Sequence, residues 1–574
     1  MKNYYGVDPQ KKKELLLNSK AAKPLVDEII SEADVAINEI SPAFKMSEYV
    51  MYYENGNRTV YEKSYFARRR KCNNIMMAYW LTNDEKYLTP LIDYISYICD
   101  EFTWCLPAHC EFTDRLSEGT VTHVDLFQAE TARFFAEIVM CVGDSLPEYM
   151  LDRMKYEVRR RIFPTILNEH VIEHPKPLME QKYYWWESCK MNWATVCGAG
   201  CTMAALYFGT DEEKEKFVNR FIGCLDSYLE GIEDDGCCQE GMAYWGYGFS
   251  HFLILAQAVK VYTDGKTDYF KNDKVKALAL FPQKIRMSDS KVASISDGGE
   301  VFSFKIGVLS LLKSIYDEVS LPELKYGTRR GNVDSVSELL WFDENYIGCD
   351  RVLGTDYLDK AQWYVSKRKS YSFAAKGGHN SEPHNHNDVG SFMITVGDET
   401  FISDLGCGEY VKETFMDSTR YNFVQNSSRG HSVPIINGEL QCVGREYCAQ
   451  NAKASDNAFE LDIEKAYPDG LAGKIHRSFA LEENKVVLTD YIEPSPKTKT
   501  VTERIVTKIE PALSDGTADL GIGKIFFDCA KYDMSVSSET FVAHNGVDIV
   551  DVYMIDITPK NPLQNELQIE FVIG

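Results

Sequence analysis

The stretch SEPHNHNDVGSFMITVGDETFISDLG, residues 381–406, joins a polar, histidine-rich segment to two short apolar runs. The turn residues VGDE separate these runs, a pattern typical of neighbouring antiparallel strands. The chain has only 11 histidines, and two of them, His384 and His386, stand two residues apart here. The stretch therefore predicts antiparallel β-structure with a polar cluster at its beginning.

Further runs of this kind continue to the C-terminus. They alternate between apolar and polar residues or are rich in β-branched residues, and turn residues separate them. They occupy residues 362–378, 474–494, 498–511, 548–559 and 565–574. We therefore predict a C-terminal domain over 336–574 that is a large antiparallel β-sandwich.

The preceding part of the chain has the periodicity of amphipathic helices. Apolar residues recur at helical spacing over 70–102, 123–144, 147–167, 211–232 and 251–265. Serial helices with short polar connections predict stacked helix hairpins, arranged either as a solenoid or as a closed (α/α) toroid. This N-terminal domain is predicted to span residues 1–335.

Composition narrows the classes of function. With 574 residues, the chain is long enough for at least two domains. A formal net charge of −24 disfavours nucleic acid and anionic membrane surfaces as partners. Its 16 cysteines include no CxxC pair, which indicates reduced core thiols. Because the N-terminus lacks an apolar signal segment, we expect a cytoplasmic protein, or a secreted one if a leader has been removed.

The histidine segment is the strongest candidate for chemistry. On an extended backbone, His384, His386 and Asp388 would share one face and converge. Imidazole and carboxylate groups are typical ligands of Zn²⁺, and Asp404 and His431 follow along the chain. One plausible trio is His386, Asp404 and His431, which leaves His384 for proton transfer. Spacing leaves open which histidine has which role, and whether Asp388 is the carboxylate.

Two aromatic stretches in the helical half are candidates for binding sugar. In residues 183–200, tryptophans surround an amide, as a pyranose-binding cleft requires, although core aromatic residues would give the same pattern. Residues 234–252 combine glycines with polar and aromatic groups. The candidate residues are Trp186, Glu187, Asn192 and Trp193 in the first stretch, and Glu240, Tyr244, Tyr247 and His251 in the second.

Taken together, these motifs resemble the heparinase II/III family of polysaccharide lyases and their alginate-lyase relatives. The matching pieces are NW at 192–193, the DG…EGxxYWxYG run at 235–248, HNHND at 384–388, SDLG at 403–406 and GHS…ING at 430–438. The resemblance implies an (α/α) toroid followed by a β-sandwich, with the active site between them. It also implies a carbon–oxygen lyase that cleaves glycosaminoglycan-like or alginate-like uronate glycans by β-elimination, leaving a C4=C5 unsaturated uronate.

The resemblance also implies catalytic roles. Asn192 would neutralise the C6 carboxylate of the uronate, and Tyr244 and His384 would act as base and acid. A zinc ion, mainly structural, would lie at the trio of histidines and aspartate given above. Substrate contacts are expected from Trp186, Glu187, Trp193, Glu240, Tyr247 and Arg420. The expected partner is a uronate-containing oligosaccharide, and a homodimer is left open.

Three alternatives compete with this reading. A glycoside hydrolase on a similar toroid would need a pair of carboxyl groups, for which Glu187, Asp235 and Glu240 are candidates. A non-catalytic glycan-binding protein would use the histidine cluster as a structural zinc site. A metal-dependent hydrolase would use zinc at this cluster to activate water.

Overall fold

The computed structural model describes residues 3–41, 43–110, 118–167, 183–328, 335–561 and 566–574. Two compact units divide the chain, and neither is continuous. The first contains Met1–Ile232, Gly246–Lys276 and Phe304–Cys349, and the second contains Glu233–Trp245, Ala277–Ser303 and Asp350–Gly574. The predicted boundary after residue 335 assumed continuous domains and stays a prediction.

Helices dominate the first unit, as the periodicity of the sequence predicts. The α-helices of the described ranges are α1 (Pro9–Asn18), α2 (Lys23–Ala36), α3 (Met46–Tyr49), α4 (Met51–Asn55), α5 (Thr59–Thr82), α6 (Leu88–Cys99), α7 (Glu118–Thr122), α8 (Leu126–Val142), α9 (Glu148–Leu167), α10 (Asn192–Phe208), α11 (Asp211–Phe221), α12 (Gly223–Glu230), α13 (Met242–Tyr244), α14 (Ser250–Tyr262), α15 (Asp273–Ile285), α16 (Ile306–Ile315) and α17 (Ser335–Trp341). A π-helical turn, Trp245–Phe249, connects α13 to α14.

Local chemistry fixes where these helices begin and how closely they pack. Asp125 caps α8, because its side chain accepts a hydrogen bond of 2.7 Å from the backbone N–H of Gln128. Helix α10 lies against α8 at Gly200, where a Cβ would stand 2.4 Å from the carbonyl oxygen of Ala129. Within the described ranges, no helix is both long and apolar enough to cross a membrane.

Antiparallel strands make up most of the second unit. In the described ranges, a parallel pair belongs to the first unit, β1 (Phe304–Lys305) and β2 (Gly327–Thr328). The strands of the second unit are β3 (Gly354–Leu358), β4 (Trp363–Lys367), β5 (Ser372–Lys376), β6 (His379–Asn380), β7 (Phe392–Val396), β8 (Glu399–Ile402), β9 (Pro434–Ile436), β10 (Gly444–Cys448), β11 (Gln450–Ser455), β12 (Ala458–Asp462), β13 (Lys474–Leu481), β14 (Lys485–Glu493), β15 (Val501–Thr507), β16 (Ala512–Ser514), β17 (Thr517–Asp519), β18 (Gly523–Phe527), β19 (Tyr532–Val542), β20 (Ile549–Pro559) and β21 (Glu566–Ile573).

Three sheets of four or more strands organise the described part of the second unit, beside the two-stranded pair β10-β6. Their strand orders are β3-β4-β5-β7-β8, β11-β12-β13-β14-β21-β18-β17-β16 and β19-β20-β15-β9. The five-stranded and eight-stranded sheets face each other across an aromatic core. Phe392 of β7 lies 5.0 Å, between ring centroids, from Phe479 of β13 and 5.3 Å from Phe571 of β21. The predicted strand runs and hairpins therefore fold as a packed pair of sheets.

A buried charge cluster ties this core to the loops that carry the histidines. Arg477 of β13 donates hydrogen bonds to both carboxylate oxygens of Asp490, at 3.0 and 2.6 Å, and also bonds to Glu503. Its remaining N–H groups bond to the carbonyl oxygens of Gly390 and Ser432, at 2.8 and 2.9 Å. All three charged side chains are fully buried. The guanidinium therefore offsets the desolvation cost of the two buried carboxyl groups.

Replacing Arg477 with Met should destabilise the second unit strongly. The substitution leaves Asp490 and Glu503 buried without their cation, and we expect a loss of about 3–5 kcal/mol in free energy of unfolding. Urea denaturation followed by circular dichroism measures this change. The control is Lys453→Met, which removes an ion pair whose side chains are 73% and 36% exposed and should cost less than about 1 kcal/mol. Equal effects of the two substitutions would contradict the prediction.

Candidate active site

The histidine segment is a loop rather than a strand. Residues 384–388 precede β7, which begins at Phe392. His384 has a left-handed backbone, with φ of 55°, a conformation that is uncommon for residues other than glycine and is enriched at functional sites. The prediction that His384, His386 and Asp388 converge on one face is therefore wrong for Asp388, because the backbone does not alternate as an extended strand does.

Asp388 instead helps to hold the loop in place. Its Oδ1 accepts a hydrogen bond of 2.5 Å from Lys376 Nζ, and the same ammonium group pairs with Glu382 at 2.9 Å. All three side chains are buried. Lys376 thus clamps both ends of the loop, and Asp388 is committed to this ion pair instead of serving as a metal carboxylate.

Asp297 is the centre of the site, and four side chains contact its carboxylate. His384 Nδ1 lies 2.8 Å from Oδ2 and His386 Nε2 lies 3.0 Å from Oδ1. Tyr410 donates a hydrogen bond of 3.0 Å to Oδ2, and Arg420 Nη2 lies 3.2 Å from both oxygens. Burial alone would raise the pKa of Asp297, but the hydrogen bonds from the two histidines hold that pKa well below its usual range. Asp297 is therefore an ionised, buried acceptor.

Tyr244 lies directly against His384. Their ring centroids are 4.3 Å apart with an interplanar angle of 27°. The Tyr244 hydroxyl is 3.0 Å from that of Tyr410, which links it to Asp297. Burial, followed by the charge of Asp297, raises the pKa of Tyr244 well above its ordinary value. The phenol therefore keeps its proton at neutral pH.

Glu240 faces the other nitrogen of His384. Its Oε1 lies 3.9 Å from His384 Nε2, too far for a hydrogen bond, and has no hydrogen-bond partner in the described part of the chain. Burial raises the pKa of Glu240. His384 Nε2 thus faces the Glu240 carboxyl without bonding to it, while its Nδ1 is fixed on Asp297.

The predicted trio of metal ligands comes together in the second unit. One ligand atom from each of His386, Asp404 and His431 lies within 4.8 Å of the others. His386 Nε2 bonds to Asp297, and His431 Nε2 lies 3.0 Å from the carbonyl oxygen of Gln425. His386 Nδ1 is buried without a hydrogen-bond partner among the described residues, and His431 Nδ1 lies 3.2 Å from Oδ2 of Asp404, the third member of the trio.

This donor arrangement fits a metal ion. A histidine ligand commonly donates its outer N–H to a carboxylate or a backbone carbonyl, which leaves the inner nitrogen free to bind the metal. His386 and His431 are both held in this way. Two imidazoles and one carboxylate are a typical zinc set. The three residues are therefore suited to hold Zn²⁺ through two Nδ1 atoms and a carboxylate oxygen.

Arg420 has a different environment from the one predicted. Only 9% of the residue is exposed. Besides Asp297, its guanidinium donates to the carbonyl oxygens of Asn385 and Thr414, the latter at 3.1 Å. The side chain thus neutralises Asp297 and braces the loop, and its predicted contact with the substrate stays a prediction.

Asn192 lies in the first unit, at the first residue of α10. It is 5% exposed, and its side-chain amide forms no hydrogen bond with any residue that the structure describes. The backbone of Gly248 packs against it so closely that a Cβ at Gly248 would lie 2.9 Å from the Asn192 Cβ. The amide is thus held in place and left available. Its approach to Tyr244 and His384, which belong to the second unit, stays a prediction.

Two predicted substrate contacts prove to be structural. Trp186 is 1% exposed and stacks on Tyr184 and Phe221, with centroid distances of 5.0 and 5.7 Å. Glu187 pairs with Arg220 through contacts of 2.7 and 3.0 Å. Both predictions are corrected, because the indole faces are covered and the carboxylate is already paired.

The neighbouring aromatic residues are better placed for a ligand. Trp185 is 40% exposed and lies 4.9 Å from Trp193 between ring centroids. The ring of His109 lies 4.9 Å from that of Trp193 between centroids. Its Nδ1 is 2.9 Å from Oδ2 of Asp125. Trp193 thus keeps its predicted place beside Asn192. Tyr247, the remaining candidate, bonds through its hydroxyl to Glu130.

Residues 353–532 match the family model described as "Heparinase II/III-like, C-terminal". No curated protein matches the chain. Among solved structures, the chain is similar to the heparan sulfate lyase HepC from Pedobacter heparinus, with 12% identity, a TM-score of 0.57 and coverage of 96% of this chain and 88% of that one.

Two further structures are similar over most of their lengths. Heparinase III has 14% identity and a TM-score of 0.60, with coverage of 97% of this chain and 86% of that one. The chondroitin AC lyase of Streptomyces coelicolor A3, solved in complex with chondroitin sulphate, has 10% identity and a TM-score of 0.52, with coverage of 96% and 83%. At these identities the likeness concerns the fold.

The fold class is therefore that of an (α/α) toroid followed by an antiparallel β-sandwich, as predicted. Within it, residues 353–532 resemble the C-terminal part of heparinase II/III-like proteins. This match confirms the resemblance drawn from the HNHND and SDLG motifs, which both lie inside the matched residues.

Proposed function

We propose that this protein is a polysaccharide lyase that cleaves uronate-containing glycans by β-elimination. The observation that carries the proposal is the stacked pair of Tyr244 and His384, whose polar atoms are fixed by Tyr410 and Asp297. A phenol and an imidazole in contact are the two proton-transfer groups that such a reaction requires. The similar structures named above are lyases of heparan sulfate and chondroitin, which supports the same class of reaction.

The chemistry assigns a task to each group. Elimination requires neutralisation of the C6 carboxylate, removal of the C5 proton and protonation of the leaving O4. The unpaired amide of Asn192 suits the first task, since it can donate hydrogen bonds to the carboxylate as negative charge develops. The carboxylate need not meet a full positive charge, because an oriented donor in a dry site stabilises developing charge effectively.

The two proton transfers are assigned by the state of each group. His384 holds its Nδ1 against Asp297, so its Nε2 offers a lone pair and serves as the base for the C5 proton. Tyr244 has a pKa well above its ordinary value, chiefly because it is buried, so it keeps its proton and serves as the acid towards O4. The carboxyl of Glu240, beside His384 Nε2, is positioned to bind a sugar hydroxyl.

We propose a glycosaminoglycan-like uronate chain as the substrate. This choice follows the lyases to which the fold is similar, and Trp185 and Trp193 offer aromatic faces for pyranose rings in the first unit. Zinc bound by His386, Asp404 and His431 would add positive charge beside the site and stabilise the loop. The proton transfers are assigned to protein side chains, so the ion is expected to support the fold.

A panel of uronate oligosaccharides tests the function. The wild-type protein should release products that absorb in the ultraviolet because of their C4=C5 bond. Tyr244→Phe should lower kcat by about 10²–10⁴-fold, the usual contribution of a general acid. The matched control is Tyr371→Phe, which removes a buried hydroxyl bonded to the carbonyl of Glu482 at 2.7 Å. Saturated products only, or equal activity in the two variants, would reject the lyase proposal.

Gly248→Ala should reduce activity without unfolding the protein. A methyl group there would meet the Asn192 Cβ at 2.9 Å and Tyr228 at 3.2 Å, so Asn192 must move. A displacement of this kind costs roughly 10–100-fold in kcat/KM. Gly223→Ala is the control, since its Cβ would meet nothing within 4 Å. Steady-state kinetics and melting temperatures of both variants show whether activity falls while the fold is kept. Full activity in Gly248→Ala would contradict the role proposed for Asn192.

The metal proposal predicts that about one zinc ion binds per chain. His431→Ala should abolish the bound zinc and lower the melting temperature, because the ion stabilises only the folded state. His476→Ala should retain the metal, since His476 bonds to Asp462 on the neighbouring strand. Elemental analysis and thermal denaturation measure both effects. Stoichiometric zinc in the His431→Ala variant would contradict the assignment of ligands.

A further inference from the structure

The carboxylate of Asp297 contacts two histidines with different proposed roles: His386, a candidate metal ligand, and His384, the proposed base. One oxygen, Oδ1, faces His386 Nε2, whose ring is suited to bind metal through Nδ1. The other, Oδ2, faces His384 Nδ1 and accepts a hydrogen bond from Tyr410. The sequence motifs and the comparisons assign no role to Asp297 or to Tyr410.

We propose that Asp297 is the positioning residue of the proposed lyase reaction, which fixes the tautomer of His384 and thereby directs a bare Nε2 towards the substrate. The inference rests on the proposed function only for its effect on catalysis. Asp297 is not itself assigned a contact with the substrate, because protein side chains already engage both of its carboxylate oxygens. It acts by accepting the Nδ1–H of His384.

The tautomer follows from counting donors and acceptors. Arg420 pairs with both oxygens of Asp297, and Tyr410 donates a hydrogen bond to one of them. A carboxylate engaged in this way accepts hydrogen bonds, so each ring nitrogen that contacts it carries a proton. Neutral imidazole has one N–H, and in His384 it must therefore be on Nδ1, which leaves Nε2 as the acceptor. Without this contact, a histidine side chain favours the tautomer with its proton on Nε2, and such a ring could not remove a proton from the substrate with that atom.

The same carboxylate also orders Tyr244. Tyr410 uses its hydroxyl proton to bond to Asp297, so its oxygen is free to accept the proton of the Tyr244 hydroxyl, 3.0 Å away. Asp297 thus determines the direction of hydrogen bonding along the chain Tyr244–Tyr410–Asp297. Substrate O4 can replace Tyr410 as the acceptor when it binds, without any change in the arrangement of Asp297.

Asp297→Asn is an informative change because it keeps the shape of the side chain and replaces one acceptor oxygen with a donor NH₂ group. With metal on His386 Nδ1, the Nε2–H of that ring must point at the residue, so the amide oxygen of Asn should occupy the position of Oδ1. The amide NH₂ then faces His384 Nδ1, which is forced to become an acceptor. His384 should consequently move its proton to Nε2.

The tautomer of His384 is measured by nitrogen-15 NMR of histidine-labelled, zinc-loaded protein, at a pH high enough to make the ring neutral. The His384 signal is assigned by its loss in His384→Gln. We expect an Nδ1–H tautomer in the wild type and an Nε2–H tautomer in Asp297→Asn. Asp556→Asn, which removes a carboxylate bonded to Arg504 at 2.7 Å, should leave the wild-type tautomer unchanged.

Kinetics then tests the consequence. Asp297→Asn should lower kcat at least tenfold with little change in KM, and it should increase the primary isotope effect of a substrate deuterated at C5, because proton removal becomes slower. A loss of folded protein would change neither KM nor the isotope effect. A drop in kcat with an unchanged isotope effect would overturn the role in catalysis.

The positioning role of Asp297 and the proposed lyase function can be rejected independently. Nε2–H in the wild type, or Nδ1–H in both proteins, would overturn the positioning role of Asp297, and the wild-type measurement alone decides this if the variant does not fold. Absence of any unsaturated product from the wild type would overturn the proposed function, while the NMR comparison would still decide what Asp297 does to His384.

Discussion

The site depends on one buried negative charge. Asp297 lies in a turn between α15 and α16 and is 4% exposed, so its carboxylate can be ionised only if the protein supplies donors. It receives them from the histidine loop, from Tyr410 and from Arg420. Each contributing segment is held by its contact with the same anion, and removal of any one of them leaves the others around a less compensated charge. A single electrostatic requirement thus assembles groups that are far apart in sequence.

Two buried cations, Lys376 and Arg477, hold the histidine loop in its conformation. Lys376 binds its two ends through Glu382 and Asp388, and Arg477 holds the backbone at Gly390. These contacts offset the cost of the left-handed backbone at His384, which amounts to roughly 1–3 kcal/mol for such conformations. Strain is tolerated where neighbouring interactions over-determine the structure, and here those interactions are buried ion pairs that exclude water.

Much of the fold could be predicted from local pattern, and part of the site could not. Helical and strand periodicities report which side of an element is buried, so both halves of the chain were predictable. The grouping of His386, Asp404 and His431 was predictable because histidine and aspartate are typical zinc ligands, and the zinc itself stays a proposal. Asp297 lies in an ordinary SDGG turn, and only its tertiary neighbours distinguish it. Trp185 and Trp186 are adjacent and chemically identical, and their opposite exposures depend on the way a 3₁₀ turn packs.

The discontinuity of the two units constrains how the proposed catalytic residues could be inherited together. The chain alternates between them in six segments, and the segment Asp350–Gly574 carries His384 but neither Tyr244 nor Asp297. A gene fragment encoding only that segment would transfer the histidines without the residues that make one of them useful. Joint transfer of the proposed proton-transfer groups and of Asp297 would therefore also require the two short segments Glu233–Trp245 and Ala277–Ser303.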